Sequence, residues 1–206
     1  MSNFIIDVEQ LKIKYPNLIF DENSQVLKGE IHIKSKCMDE IINEKYFVLI
    51  NLSYPIPIVY DIGNKIKKNY SHKYPNSRLC LATNLEQLIF LLKYKKISLW
   101  IEKFVENYYI SYEYYCRYGV YPFGEHSHGK KGLLEFYYDY YDMNNLTNKD
   151  SFLEYIFINN YKGHHNCPCG SEKKIRNCHK DFILKSKSIS NFTVLYDCYR
   201  REIYEK

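Results

Sequence analysis

Four soft ligands fall within thirteen residues in the run Asn166-Cys167-Pro168-Cys169-Gly170-Ser171-Glu172-Lys173-Lys174-Ile175-Arg176-Asn177-Cys178-His179, a C-x-C-x8-C-H spacing. Three thiolates and one imidazole suit a tetrahedral zinc ion, with bonds of about 2.3 Å to sulfur and about 2.0 Å to nitrogen. Together they fill all four positions, which marks a structural site, because a catalytic zinc keeps one position open. Pro168 and Gly170 suit the sharp turn that lets Cys167 and Cys169 converge on one ion. One structural Zn²⁺ is therefore predicted on Cys167, Cys169, Cys178 and His179, with His164 or His165 as an alternative fourth ligand. The competing reading is a loop holding four unrelated thiol and imidazole groups.

Cys80 is the second chemical candidate. It stands in Leu79-Cys80-Leu81, after Tyr54-Pro55-Ile56-Pro57, His72 and Pro75-Asn76. An accessible cysteine beside a positive group such as Arg78 or His72 is held partly as thiolate. Such a thiolate can accept an acyl group from a thioester and pass it to an amine. Asn76 is positioned in sequence to donate a hydrogen bond to the oxyanion formed on the way, a contact worth ~3 kcal/mol in the transition state. A cysteine between two leucines is also readable as a small buried hydrophobe, and exposure of its sulfur separates the two readings. Glu125, His126 and His128 could form a metal or proton-transfer cluster, or hydrogen-bond backbone to hold a tight loop. Cys37, Cys116 and Cys198 have no ligand spacing and are read as packing residues.

These residues need a scaffold, and the pattern around them predicts an α+β fold. A short helix is expected over 7–14, with Asp7 as its cap and Pro16 beyond its end. Strands are expected over 18–20, 25–34 and 46–52, the first two joined by a turn at 21–24. Two prolines in 54–60 force an edge or a crossing rather than a central strand. From residue 84 the apolar spacing becomes helical, predicting helices over 84–94 and 98–117, closed by Gly119, then 131–142 and 149–160. One more short helix is expected over 191–204.

The 206 residues suffice for one main core and an appendage, and 46% hydrophobic with 26% charged residues is ordinary for a globular chain. A net charge of +5 does not by itself imply nucleic acid, which is not expected as a partner. Lys173, Lys174, Arg176 and Lys180 are read first as a solvated basic face and second as a phosphate or acidic-partner site. No apolar window approaches the ~20 residues of a membrane span, residues 1–11 lack a signal pattern, and seven cysteines suit a reducing compartment. A cytoplasmic location and no membrane partner are expected. The 23 tyrosines reflect AT-rich codon bias and carry no functional reading.

The zinc run resembles the SEC-C motif in its CPCGS start, basic middle and final Cys-His, with Glu172 where many members carry a second glycine. The order of helix, antiparallel strands, Tyr-Pro-x-Pro, histidine loop, Cys-Leu and helices resembles the ubiquitin-conjugating-enzyme (UBC-like) fold. His72 stands eight residues before the cysteine, and Leu79-Cys80-Leu81 matches the flank of that family's nucleophile. The chain lacks a contiguous His-Pro-Asn, and Arg78 replaces the usual glycine. The likeness is closest to divergent bacterial members, some accompanying the cyclic-oligonucleotide antiphage systems called CBASS, and residues 119–129 resemble the segment after the cysteine domain in members with a SEC-C tail. It implies a UBC-like domain over 1–105, a helical extension over 106–162, a zinc knuckle over 163–182 and a helical tail over 183–206. It also implies acyl transfer through Cys80 assisted by Asn76 and His72. The implied partners are a protein modifier or nucleotidyltransferase C-terminus and an acceptor protein. The alternative is a non-catalytic interaction module on the same fold.

Overall fold

The computed structural model describes residues 4–124, 127 and 129–205. Glu125, His126 and His128, read from the sequence as a metal, proton-transfer or loop-holding cluster, lie outside the described residues. The chain is α+β and divides into two compact units, Met1–Glu125 and His126–Lys206.

In the first unit, α1 (Val8–Lys14) precedes a four-stranded antiparallel meander of β1 (Leu18–Asp21), β2 (Val26–Cys37), β3 (Glu40–Asn51) and β4 (Ile58–Asp61). β2 and β3 pair over twelve residues, from Val26↔Asn51 to Cys37↔Glu40, and turn at Met38-Asp39, where Met38 is left-handed. Both strands run further toward that turn than the sequence alone suggests. Charged outer-face residues such as Lys34 and Lys36 mask the inward set Ile31, Ile33 and Cys37 that continues the strand. Alternation brings Leu27, Ile31, Ile33, Ile42, Tyr46, Val48 and Ile50 into one core. At Gly29 on that face β1 comes so close that an added Cβ would lie 1.9 Å from the Asn17 carbonyl oxygen.

The helices pack on this inner face. α2 (Asn84–Tyr94) begins at Thr83, whose hydroxyl accepts from the Glu86 N–H at 3.2 Å. α3 (Ile97–Trp100) runs through a π-helical stretch (Ile101–Glu106) into α4 (Asn107–Tyr118), which ends at left-handed Gly119. Trp100, Ile101, Val105 and Tyr109 are fully buried, and the Tyr109 ring stacks on Tyr46 of β3 at 3.8 Å. Asp7 does not cap α1. Its carboxylate reaches across the fold and accepts from the Ser98 backbone N–H at 3.0 Å and from the Ser98 hydroxyl. It thereby satisfies one orphan backbone donor at the start of α3.

The second unit contains α5 (Gly129–Tyr140), α6 (Lys149–Ile158), a 3₁₀ turn (Ile175–Asn177), α7 (Lys180–Lys187), α8 (Phe192–Tyr199) and a π-helical turn (Arg200–Tyr204). Its core gathers Tyr137, Phe152, Leu153, Ile156, Ile183 and Leu195. α7 is an addition to the elements expected from sequence. Its consecutive apolar residues Phe182, Ile183 and Leu184 show no clear period, and the helix is organised by packing on α6, with Phe182 edge-on to Phe152 at 5.5 Å. Among the described residues no helix is long and apolar enough to cross a membrane.

Candidate functional site

The chain leaves β4 at Asp61 and returns as a small hairpin over 72–80. Its outgoing arm lies along β4, with the Asp61 N–H donating to the Ser77 carbonyl at 3.0 Å and the Leu79 N–H to Val59 at 2.8 Å. Within the hairpin, Lys73 faces Leu79 in the ladder, the Tyr74 N–H donates to Arg78 at 2.9 Å, and the Cys80 N–H donates to the His72 carbonyl at 2.8 Å. His72 and Cys80 are therefore directly opposite. The two-residue period sends Lys73 and Leu79 inward and leaves His72, Tyr74, Arg78 and Cys80 on the other face. Burial agrees, since the Leu79 residue is 4% exposed and the Lys73 side chain 5%, while Cys80 is half-buried.

That outer face is polar and aromatic. The His72 ring meets Tyr70 at 5.6 Å and Tyr121 at 5.3 Å, both edge-on. The Arg78 guanidinium lies over the Tyr74 ring at 5.5 Å. Electrostatic interaction with Cys80 pushes the Tyr74 phenol above its ordinary range, with a hydrogen bond to the Cys80 sulfur and burial adding to it and Arg78 opposing. Asn76 sits at the exposed turn, where its Oδ1 accepts from the Arg78 N–H at 3.2 Å. It lies four residues from Cys80, in the 75–77 loop beyond the last ladder pair Tyr74–Arg78. The structure thus brings His72 to Cys80 and holds Asn76 at the turn. Tyr74 has no sequence signal of its own, because its nearness to Cys80 comes only from the register.

The remaining cysteines differ in setting. Cys37 is buried at the end of β2 and Cys198 is half-buried on α8, and burial pushes both thiols upward. Cys116 is exposed near the C-terminal end of α4, contrary to its reading as a packing residue.

The second cluster is local. Asn166 and Lys174 bridge a short hairpin, the Cys167 N–H donates to Lys173 at 2.8 Å, and the Gly170 N–H closes the turn on Cys167 at 3.2 Å. Gly170 has φ 79°, which frees the Cys167 and Cys169 side chains to converge. The ligand atoms of Cys167, Cys169, Cys178 and His179 all lie within 4.8 Å of one another, so this group could hold one metal ion. His179 Nδ1 is 3.2 Å from both the Cys167 and Cys178 sulfurs, and Cys169 Sγ is 3.6 Å from Cys178 Sγ. The ring of His179 is braced edge-on by Phe152 at 5.1 Å. His165 turns instead to the Tyr155 hydroxyl at 3.4 Å.

Ser171, to which ligand spacing assigns no role, places its hydroxyl 3.1 Å from Cys169 Sγ and 3.4 Å from Cys178 Sγ. The Ser171 hydroxyl is the main influence lowering the Cys169 thiol to about 6, whereas burial pushes Cys167 up to about 11. The Cys169 carbonyl is in turn held by Asn148 Nδ2 at 3.2 Å and the Thr147 hydroxyl at 3.3 Å. Glu172 next in the loop is left-handed, with φ 60°, and exposed. A non-glycine residue there costs about 1–2 kcal/mol, partly offset by glycine's larger unfolded-state entropy. Glu172→Gly is therefore expected to leave stability unchanged or raise it by about 1 kcal/mol in chemical denaturation. A loss of more than that would show that the Glu172 side chain holds the loop.

No family model, no curated protein and no solved structure matches this chain.

Proposed function

We propose that this protein is a UBC-like acyl-transfer protein in which Cys80 is the thiol that accepts and passes on an acyl group, joined to a SEC-C-like zinc knuckle. The observation that carries the reading is the hairpin of residues 72–80, which offers a half-buried cysteine directly opposite a histidine on one polar face. The element order supports it: one helix, a four-strand meander, a cysteine-bearing return along β4, then helices packed on the inner face. His72, Tyr74 and Arg78 are the polar groups that share this face with the thiol. In this reading they are the groups placed to donate to the oxyanion, and Asn76 shapes the turn that carries Arg78.

Zinc suits the second cluster. A regular tetrahedron with zinc-like bond lengths has sulfur–sulfur edges of about 3.8 Å and sulfur–nitrogen edges of about 3.5 Å. The observed 3.6 Å and 3.2 Å separations need only slight spreading to reach them. Three sulfurs and Nδ1 of His179 would hold the ion with no open position, so it would brace the knuckle rather than catalyse. The left-handed backbone of Glu172 keeps the conformation that a second glycine would adopt in the SEC-C pattern. The setting this reading implies is antiphage defence of the CBASS type, with a protein modifier and an acceptor protein as partners.

The test is thioester capture on Cys80 after Cys116 has been replaced by Ser, since Cys116 is exposed and would compete for any thiol reagent. Limiting alkylation near neutral pH is expected to label Cys80 ahead of Cys37 and Cys198. Protection of Cys80 from alkylation, together with full biological activity of Cys80→Ala, would instead establish the non-catalytic interaction module.

A further inference from the structure

The hairpin that carries Cys80 is fastened from below by a buried ion pair. Lys73 Nζ donates to Asp61 Oδ2 at 2.8 Å and to the Ile66 carbonyl at 3.0 Å, and the Ile66 N–H donates to the same carboxylate oxygen at 3.1 Å. The two side chains are 5% and 0% exposed. One pair thus ties together the end of β4, the loop at Ile66 and the hairpin arm that bears His72. The His72 carbonyl then takes the Cys80 N–H at 2.8 Å and the Tyr108 hydroxyl at 3.2 Å.

A desolvated ion pair is a weak source of net stability, and an apolar pair of similar volume often does as well or better. Apolar neighbours are at hand here, since Ile66 and Leu79 are buried at 1% and 4% exposure. What charge and directed hydrogen bonds add over such a pair is a single register. A one-residue slip of the 72–74 arm would turn Lys73 outward and His72 inward, and would strand the Asp61 carboxylate in the core.

We infer that Lys73 and Asp61 are positioning residues for Cys80: their buried pair sets the register that places the thiol opposite His72. This rests on the reading of Cys80 as the nucleophile. The test uses iodoacetamide alkylation and amide exchange, neither of which requires acyl transfer, so the two ideas can fail separately.

The informative variant is D61L/K73M in the Cys116→Ser background, which replaces the pair by apolar side chains. It also takes away the partners of the buried Ile66 N–H and carbonyl, so its melting midpoint is expected to fall by about 5–15 °C while the chain stays folded. The rate of Cys80 alkylation is followed from about pH 6 to about pH 10, so that its plateau reports geometry separately from ionisation. That plateau is expected to rise at least about tenfold, and the Cys80 amide to exchange at least about tenfold faster, while Cys37 stays protected. D61N/K73Q keeps donors and acceptors without charge, and is expected to return both rates to within about threefold of the parent. A folded D61L/K73M with both Cys80 rates within about twofold of the parent would overturn the inference. Failure of D61L/K73M to fold would also overturn it, since the pair would then be a requirement of the fold and not of Cys80.

Discussion

Replacing Cys169 by Ser is expected to take the zinc content of the purified chain from about one per molecule to near zero, with loss of order in the loop from Gly163 to His179. The size of the effect comes from the ligand set. Structural zinc sites of this kind supply about 10–16 kcal/mol of apparent binding free energy near neutral pH, and much of that is folding free energy for the segment that holds the ion. The knuckle has little else to hold it: of its residues only Cys167 and Ile175 are buried. Tyr137, Phe152, Leu153, Ile156 and Leu195 form a core of their own, so α5, α6 and α8 are expected to stay helical when the metal leaves. Elemental analysis of protein purified without chelator checks the first part. Limited proteolysis of Cys169→Ser checks the second, with new cuts confined to 163–179. Protein that contains no zinc, or a variant that retains it in full, would refute the assignment.

The second large effect concerns the thiol. On the proposed reading, the Cys80 thiolate is expected to attack the carbonyl carbon of an activated thioester, forming a new carbon–sulfur bond as the old one breaks. The donor sulfur leaves as a thiolate that takes up from solvent the proton Cys80 released. Incubation with the activated modifier should give an adduct that excess thiol or hydroxylamine removes. Cys80→Ala should reduce that adduct to background, a drop of at least about 10³-fold, because deletion of a nucleophile removes the covalent path outright. Cys80→Ser should trap an oxygen ester that resists thiol, since an alkoxide is a poorer leaving group than a thiolate. Zinc content and the melting midpoint should be unchanged in both, because Cys80 is half-buried at the hairpin face and lies outside the metal cluster. An adduct that survives Cys80→Ala would move the chemistry to another residue, with exposed Cys116 the first to examine.

Local features were legible in the chain because their causes are local. The spacing of apolar residues marks α2 over Asn84–Tyr94, and Gly119 ends α4 by adopting the left-handed conformation. The four candidate metal ligands lie within one short loop, so type and spacing sufficed to group them, although the choice of His179 over His165 needed the turn that points His165 at Tyr155.

Amino-acid order alone thus grouped the candidate metal ligands and determined the α+β class and most helix and strand positions, all of which rest on periodicity and spacing. Tertiary structure decided what depends on residues far apart in sequence: Asp7 satisfying the start of α3, α7 gaining its helix against α6, and Cys116 being left exposed. It also decided the Cys80 face. Nothing in Tyr74 or Lys73 announces which side each will take, because that depends on how residues 77–79 register against β4 and on the Asp61 carboxylate waiting in the core. A single step of register exchanges the two faces, and no local pattern distinguishes the alternatives until the packed core makes one of them costly.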